Sequence, residues 1–90
     1  AERISTLGVV PDGRAATVAE SSELAAYPRE FVKVSETVTL SADAMKTTID
    51  SLRSAIEKLG DLDSISEDMC IGISAPLEKH LWMLQAQEVV

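Results

Sequence analysis

Residues 38–59, VTLSADAMKTTIDSLRSAIEKL, and residues 64–84, SISEDMCIGISAPLEKHLWML, decide the fold of this chain. In the first stretch Val38, Ala42, Met45, Ile49, Leu52, Ile56 and Leu59 recur at alternating steps of four and three, the spacing of one apolar face on an α-helix. In the second, Ile65, Met69, Ile73, Leu77, Leu81 and Leu84 form another such stripe. Only Gly60-Asp61-Leu62-Asp63 separates the two, so the helices fold back as antiparallel neighbours. At about 1.5 Å per residue the first helix is about 40 Å long, and two such helices leave part of each apolar face open to water. Residues 1–32 read mostly as loop and do not supply the two further helices that would close a four-helix core. The chain therefore reads as half of an all-α bundle.

Composition agrees. Ninety residues suffice for one small domain, and 46% hydrophobic with 3% aromatic residues describes an aliphatic, helix-built core rather than a sheet sandwich. The formal charge of −7 argues against a phosphate backbone as the partner of this segment, and no run of Lys or Arg occurs. The single Cys70 excludes an internal disulfide and reads as a small buried hydrophobe on the second helix. No apolar run reaches membrane-spanning length and no signal peptide is visible, which fits a soluble, intracellular protein. The opening Ala1-Glu2-Arg3-Ile4 carries no initiator Met, so residues 1–7 read as the last turns of a helix begun upstream.

Along the chain, Pro11-Asp12-Gly13 reads as a tight turn, and Asp12 or Gly13 is placed to cap a short helical piece over Arg14 to Ala19. Tyr27-Pro28 marks the approach to the long helix. Gly60 stands where a left-handed helix terminator belongs, with Lys58 in the last turn complementing the dipole. Ser64-Ile65-Ser66-Glu67 has the pattern of a capping box, Ser64 and Glu67 reciprocally satisfying free amides. Pro76 falls inside the second stripe and is expected to bend that helix near Gly72 and Ile73.

Few residues carry chemistry. One His and one Cys, with no serine placed beside either, assemble no nucleophile and base, and zinc lacks a ligand cluster. His80 reads as a packed or half-exposed imidazole at the flank of the second stripe. The acidic group Asp61, Asp63, Glu67 and Asp68 gathers hard oxygen donors at a helix start; dipole compensation accounts for Glu67 and Asp68, while several copies about a symmetry axis would make an acidic ring that guides divalent cations.

Ala1-Glu2-Arg3-Ile4, Leu7-Gly8, Val10-Pro11-Asp12-Gly13-Arg14, Tyr27-Pro28, Ser54 to Leu59, Asp61-Leu62-Asp63, Glu67-Asp68 and Leu77 to Trp82 together resemble, in order, the carboxy-terminal half of the Dps family. These are the ferritin-like "DNA-binding proteins from starved cells", and the likeness is to actinobacterial members in particular. The resemblance implies a ferritin-like four-helix bundle in which residues 1–7 end the second helix, 8–32 form the crossover with its short helix, and 33–59 and 64–87 are the third and fourth helices. It implies a bacterial, cytoplasmic, nucleoid-associated protein assembled with the missing amino-terminal half as a homo-dodecameric cage, in which Fe(II) is oxidised by peroxide or oxygen and mineralised.

In that family the Glu of the Ala-Glu-Arg segment ligates iron, which implies a metal role for Glu2; the remaining ligands would lie upstream, so this chain alone would not be a competent ferroxidase. The acidic pore at the start of the last helix corresponds to Asp63 and Asp68. The sequence departs from the family at Val9, where a second glycine is usual, at Pro76, and at its end, Gln87-Glu88-Val89-Val90, which has no basic tail. DNA protection would then belong to the full-length parent rather than to this segment. The alternative reading from another class is a non-enzymatic helical hairpin that dimerises into a four-helix bundle without metal.

Overall fold

A computed structural model of the chain describes residues 1–88. Helix α1 spans Glu2–Thr6, α2 Ala15–Ser21, α3 Val34–Leu59 and α4 Ser64–Gln85, followed by a 3-10 turn at Ala86–Glu88. No strand occurs among the described residues. The α3–α4 hairpin is the body of the molecule, and the closing turn at Ala86–Glu88 packs back against α3.

The stripe on α3 forms as its spacing dictates. Ala42 and Ile49 are buried, and Val38, Met45, Leu52, Ile56 and Leu59 are half-buried. On α4 the covered track differs from the expected one. Leu77, Leu81 and Leu84 lie on it, but toward the start of the helix it continues through Ser74, Cys70 and Glu67. Ile65, Met69 and Ile73 instead remain 58%, 48% and 52% exposed. The two tracks are adjacent rows on one helix, and the small side chains at Cys70 and Ser74 allow the close approach of α3 that larger residues would block. Apolar residues on more than one side mark a helix meant for burial on more than one side, and the hairpin satisfies only one of them.

The helix ends correct the sequence reading in two places. Gly60 closes α3 in the right-handed region, φ −53° and ψ −35°, not as a left-handed terminator. A Cβ there would lie 2.9 Å from Glu67 Oε2, so this glycine accommodates the carboxylate folded back over the turn. The left-handed terminator is Gly8, at φ +89°. Its amide donates to Ser5 O at 3.0 Å and that of Val9 to Ile4 O at 3.1 Å, the paired bonds of a Schellman motif that ends α1. At α4 the cap is Asp63, in extended conformation, with Ser64 already helical. The capping box does not form, because the boundary lies one residue earlier and the Asp63 carboxylate is held by other partners.

The crossover is organised locally. Asp12 accepts from the Arg14 amide at 3.1 Å and from Thr17 Oγ1 at 2.9 Å, fixing the start of α2. The Arg14 side chain pairs with the same carboxylate at 2.7 Å. Tyr27 and Thr37 hydroxyls share a hydrogen bond of 3.0 Å, tying the crossover to the β-branched first turns of α3. α4 runs unbroken through Pro76. The carbonyl freed by that proline belongs to Gly72, which is exposed and so open to water.

Candidate functional site

α1 is a five-residue helix with no buried side chain, and among the described residues a single one connects it to the body of the molecule through side-chain hydrogen bonds. Arg3 donates from Nη2 to Asp63 Oδ2 at 2.6 Å and from Nε to Ser66 Oγ at 3.2 Å. Ser66 Oγ in turn donates to the same Asp63 oxygen at 2.5 Å. The three side chains close a triangle between the helix-terminal segment of α1 and the first turn of α4. Arg3 and Asp63 retain only 23% and 24% of their side-chain exposure, so the pair is partly shielded from solvent. The Ser66 hydroxyl and the Arg3 guanidinium hold the Asp63 carboxyl below its ordinary value, because both favour the charged form.

The acidic group at the hairpin turn divides accordingly. Asp63 is engaged by Arg3 and Ser66. Glu67 is half-buried and folds over Gly60. Asp61 and Asp68 are exposed, and neither makes an ion pair among the described residues. Asp63 and Asp68 are five residues apart, which places them on different sides of α4 rather than one above the other. Glu2 lies exposed in the first turn of α1, beside Arg3.

No group of three or more His, Cys, Asp or Glu side chains able to hold a metal ion occurs among the described residues. Glu2 is therefore not part of such a group among the described residues. His80 is exposed on a shallow groove with Met45, Met83 and Leu84, and no Cys, Asp, Glu or second His is among the residues that line it. Cys70 is half-buried on the covered track of α4. No helix among the described residues is long and apolar enough to cross a membrane.

Sequence reasoning missed Arg3. Its only signal is a cation with no acidic partner one turn on, where Leu7 stands. Such a cation is stabilised by a distant acid, but which acid cannot be read at a separation of 60 residues.

The ferritin-like domain family matches residues 1–88. The chain is similar to the fine tangled pili major subunit of Haemophilus ducreyi, 33% identical over 86 residues that make up 96% of this chain and 46% of that protein. It is 34% identical to the DNA protection during starvation protein of Mycolicibacterium smegmatis over 96% of this chain and 47% of that protein. The solved structure of Dps from Staphylococcus aureus superposes with a TM-score of 0.92 at 28% identity, covering 100% of this chain and 60% of that one. The chain thus spans about half the length of the curated relatives it matches.

Proposed function

Since the chain belongs to the ferritin-like domain family and its relatives there include Dps proteins, we propose that it is the carboxy-terminal half of a subunit of an iron-storage and detoxification cage. The observation that carries this reading is the ferritin-like match over residues 1–88. The unpaired apolar track Ile65, Met69 and Ile73 supports it, because a closed four-helix subunit inside a larger assembly offers such a helix burial on several sides.

In this proposal Fe(II) is the substrate and the ferric mineral the cargo. Two ferrous ions give one electron each to a peroxide, its O–O bond breaks, and two protons complete two waters. Glu2 contributes one hard carboxylate ligand, and the other donors come from outside this chain. Asp68, exposed in the first turns of α4, together with Asp63 at its cap, would conduct hydrated Fe(II) through weak, repeated contacts in a cage of twelve subunits. A net charge of −7 suits attraction of cations and leaves any DNA contact to other parts of a cytoplasmic bacterial parent.

Native mass together with ferric-product absorbance tests the reading in the full-length protein. The expected result is a dodecamer that oxidises Fe(II) with consumption of peroxide, and whose Asp68→Asn variant needs more Fe(II) to reach half-maximal rate. A protein containing both halves that leaves Fe(II) unoxidised would refute it. A small dimer would favour the metal-free hairpin, for which the exposed Ile65, Met69 and Ile73 offer a pairing face.

A further inference from the structure

We propose that the groove between α3 and α4 lined by Met45, His80 and Met83 is a site for a soft monovalent metal ion, Cu(I), separate from the iron chemistry of Glu2 and Asp68. The chain has three methionines and one histidine, and this groove takes two of the three and the only histidine. His80 and Met83 stand three residues apart on α4, so their side chains leave the same face of the helix, with Cβ atoms about 5–6 Å apart. Met45 reaches the groove from α3. Two donors from one helix turn and a third from the facing helix follow the way helical bundles build metal sites.

The three donors are placed for entry of an ion from solvent. His80 is exposed and Met83 is 50% exposed, while the half-buried Met45 forms the floor. The turn at Ala86–Glu88, packed back against α3, brings Gln87 to the groove and closes that end of it. A methionine side chain is unbranched and has three rotatable bonds, so both sulfurs turn toward the imidazole by changing rotamer while the helices stay in place.

The donor set selects the ion. Thioether sulfur is soft and suits Cu(I), and imidazole binds copper as well. No Asp or Glu lines the groove, so Fe(II) meets none of the carboxylate oxygens that suit a harder ion. Leu84 adds apolar surface, and all three donors are neutral, so a single positive charge is less costly to bring there than a double one. Cys70, another soft donor on α4, lies ten residues before His80, about 15 Å along the helix axis, and does not reach the groove. The site therefore stands on thioether and imidazole alone.

Competition for Cu(I) against bathocuproine disulfonate, in reducing and oxygen-free solution, tests the site in the full-length protein carrying Cys70→Ala, which removes the thiol as a rival ligand. Met83→Leu and Met45→Leu nearly preserve side-chain volume and delete only the sulfur, and His80→Gln deletes the imidazole. Each should weaken Cu(I) binding about ten-fold or more, since losing even a hydrogen-bond partner of a ligand costs about ten- to a hundred-fold. X-ray absorption at the copper edge should show both sulfur and nitrogen neighbours, with the sulfur contribution reduced in either leucine variant. Leucine variants that hold Cu(I) as tightly as the Cys70→Ala protein, or a bound copper ion with no sulfur neighbour, would overturn the proposal and leave Met45 and Met83 as packing residues. Fe(II) oxidation should be unchanged in all three variants. A protein inert toward Fe(II) would sink the iron reading, and the copper measurements would still decide this one.

Discussion

Replacing Gly8 by alanine should lower local stability and replacing Gly60 should not, although both glycines follow the end of a helix. Gly8 sits at φ +89° with nothing within 4 Å of where a Cβ would be, so its cost is conformational alone. Forcing an L-residue into the left-handed region costs about 1–2 kcal/mol, and reduced freedom of the unfolded chain returns about 0.4–1 kcal/mol. Gly8→Ala should therefore destabilise the end of α1 by about 0.5–1 kcal/mol.

Gly60 is already right-handed, so the same entropic gain acts there without the backbone penalty. The new Cβ meets Glu67 Oε2 at 2.9 Å, the free end of a flexible side chain that can swing aside, and Glu57 O at 3.5 Å, an ordinary contact. Gly60→Ala should be neutral or stabilising by about 0.5 kcal/mol. Native-state amide exchange reads both. Protection of the amides at positions 8 and 9 should fall up to about five-fold in Gly8→Ala, while Leu62 and Asp63, whose amides donate to Leu59 O, should hold or gain protection in Gly60→Ala. Loss of protection at Leu62 and Asp63 would refute the reasoning, because it would mean that the Glu67 carboxylate over Gly60 is a fixed element of the turn.

Acid should release α1. The Asp63 carboxyl is depressed below its ordinary value of 3.8 by Ser66 and Arg3, so its contribution is fully present above that value and is lost as pH falls through the folded one. Exchange of the α1 amides should accelerate below about pH 4 in the native protein and lose that acid dependence in Asp63→Asn. Pro76→Ala should raise the melting temperature, since it restores an amide donor inside α4 and removes a helix penalty of at most about 3 kcal/mol; a lowered melting temperature would show that the assembled protein needs the helix shape that proline imposes.

Local pattern accounts for what was legible in this chain. Seven apolar positions on α3 repeat at helical spacing, and the same seven are buried or half-buried, because periodicity within one helix needs no distant information. The short connection at residues 60–63 likewise fixed the hairpin, and the ferritin-like membership followed from the order of several short segments. The glycines show where local pattern fails. Gly8 and Gly60 both follow a helix, but only backbone geometry distinguishes a terminator from a space-saver under Glu67.

The candidate site was legible only in part. The acidic residues of the hairpin turn could be named from the sequence, since a helix start attracts carboxylates wherever it lies. Their division into an engaged Asp63 and a free Asp68 depends on Arg3, which arrives from 60 positions away. The sequence by itself determined the two long helices, their antiparallel connection and the excess of apolar surface, all of which follow from spacing along one segment. Only the tertiary structure decided which side of α4 faces α3 and which acid Arg3 holds, because a helix with apolar residues on several sides and a cation without a local partner each have several satisfactory neighbours until the chain closes in space.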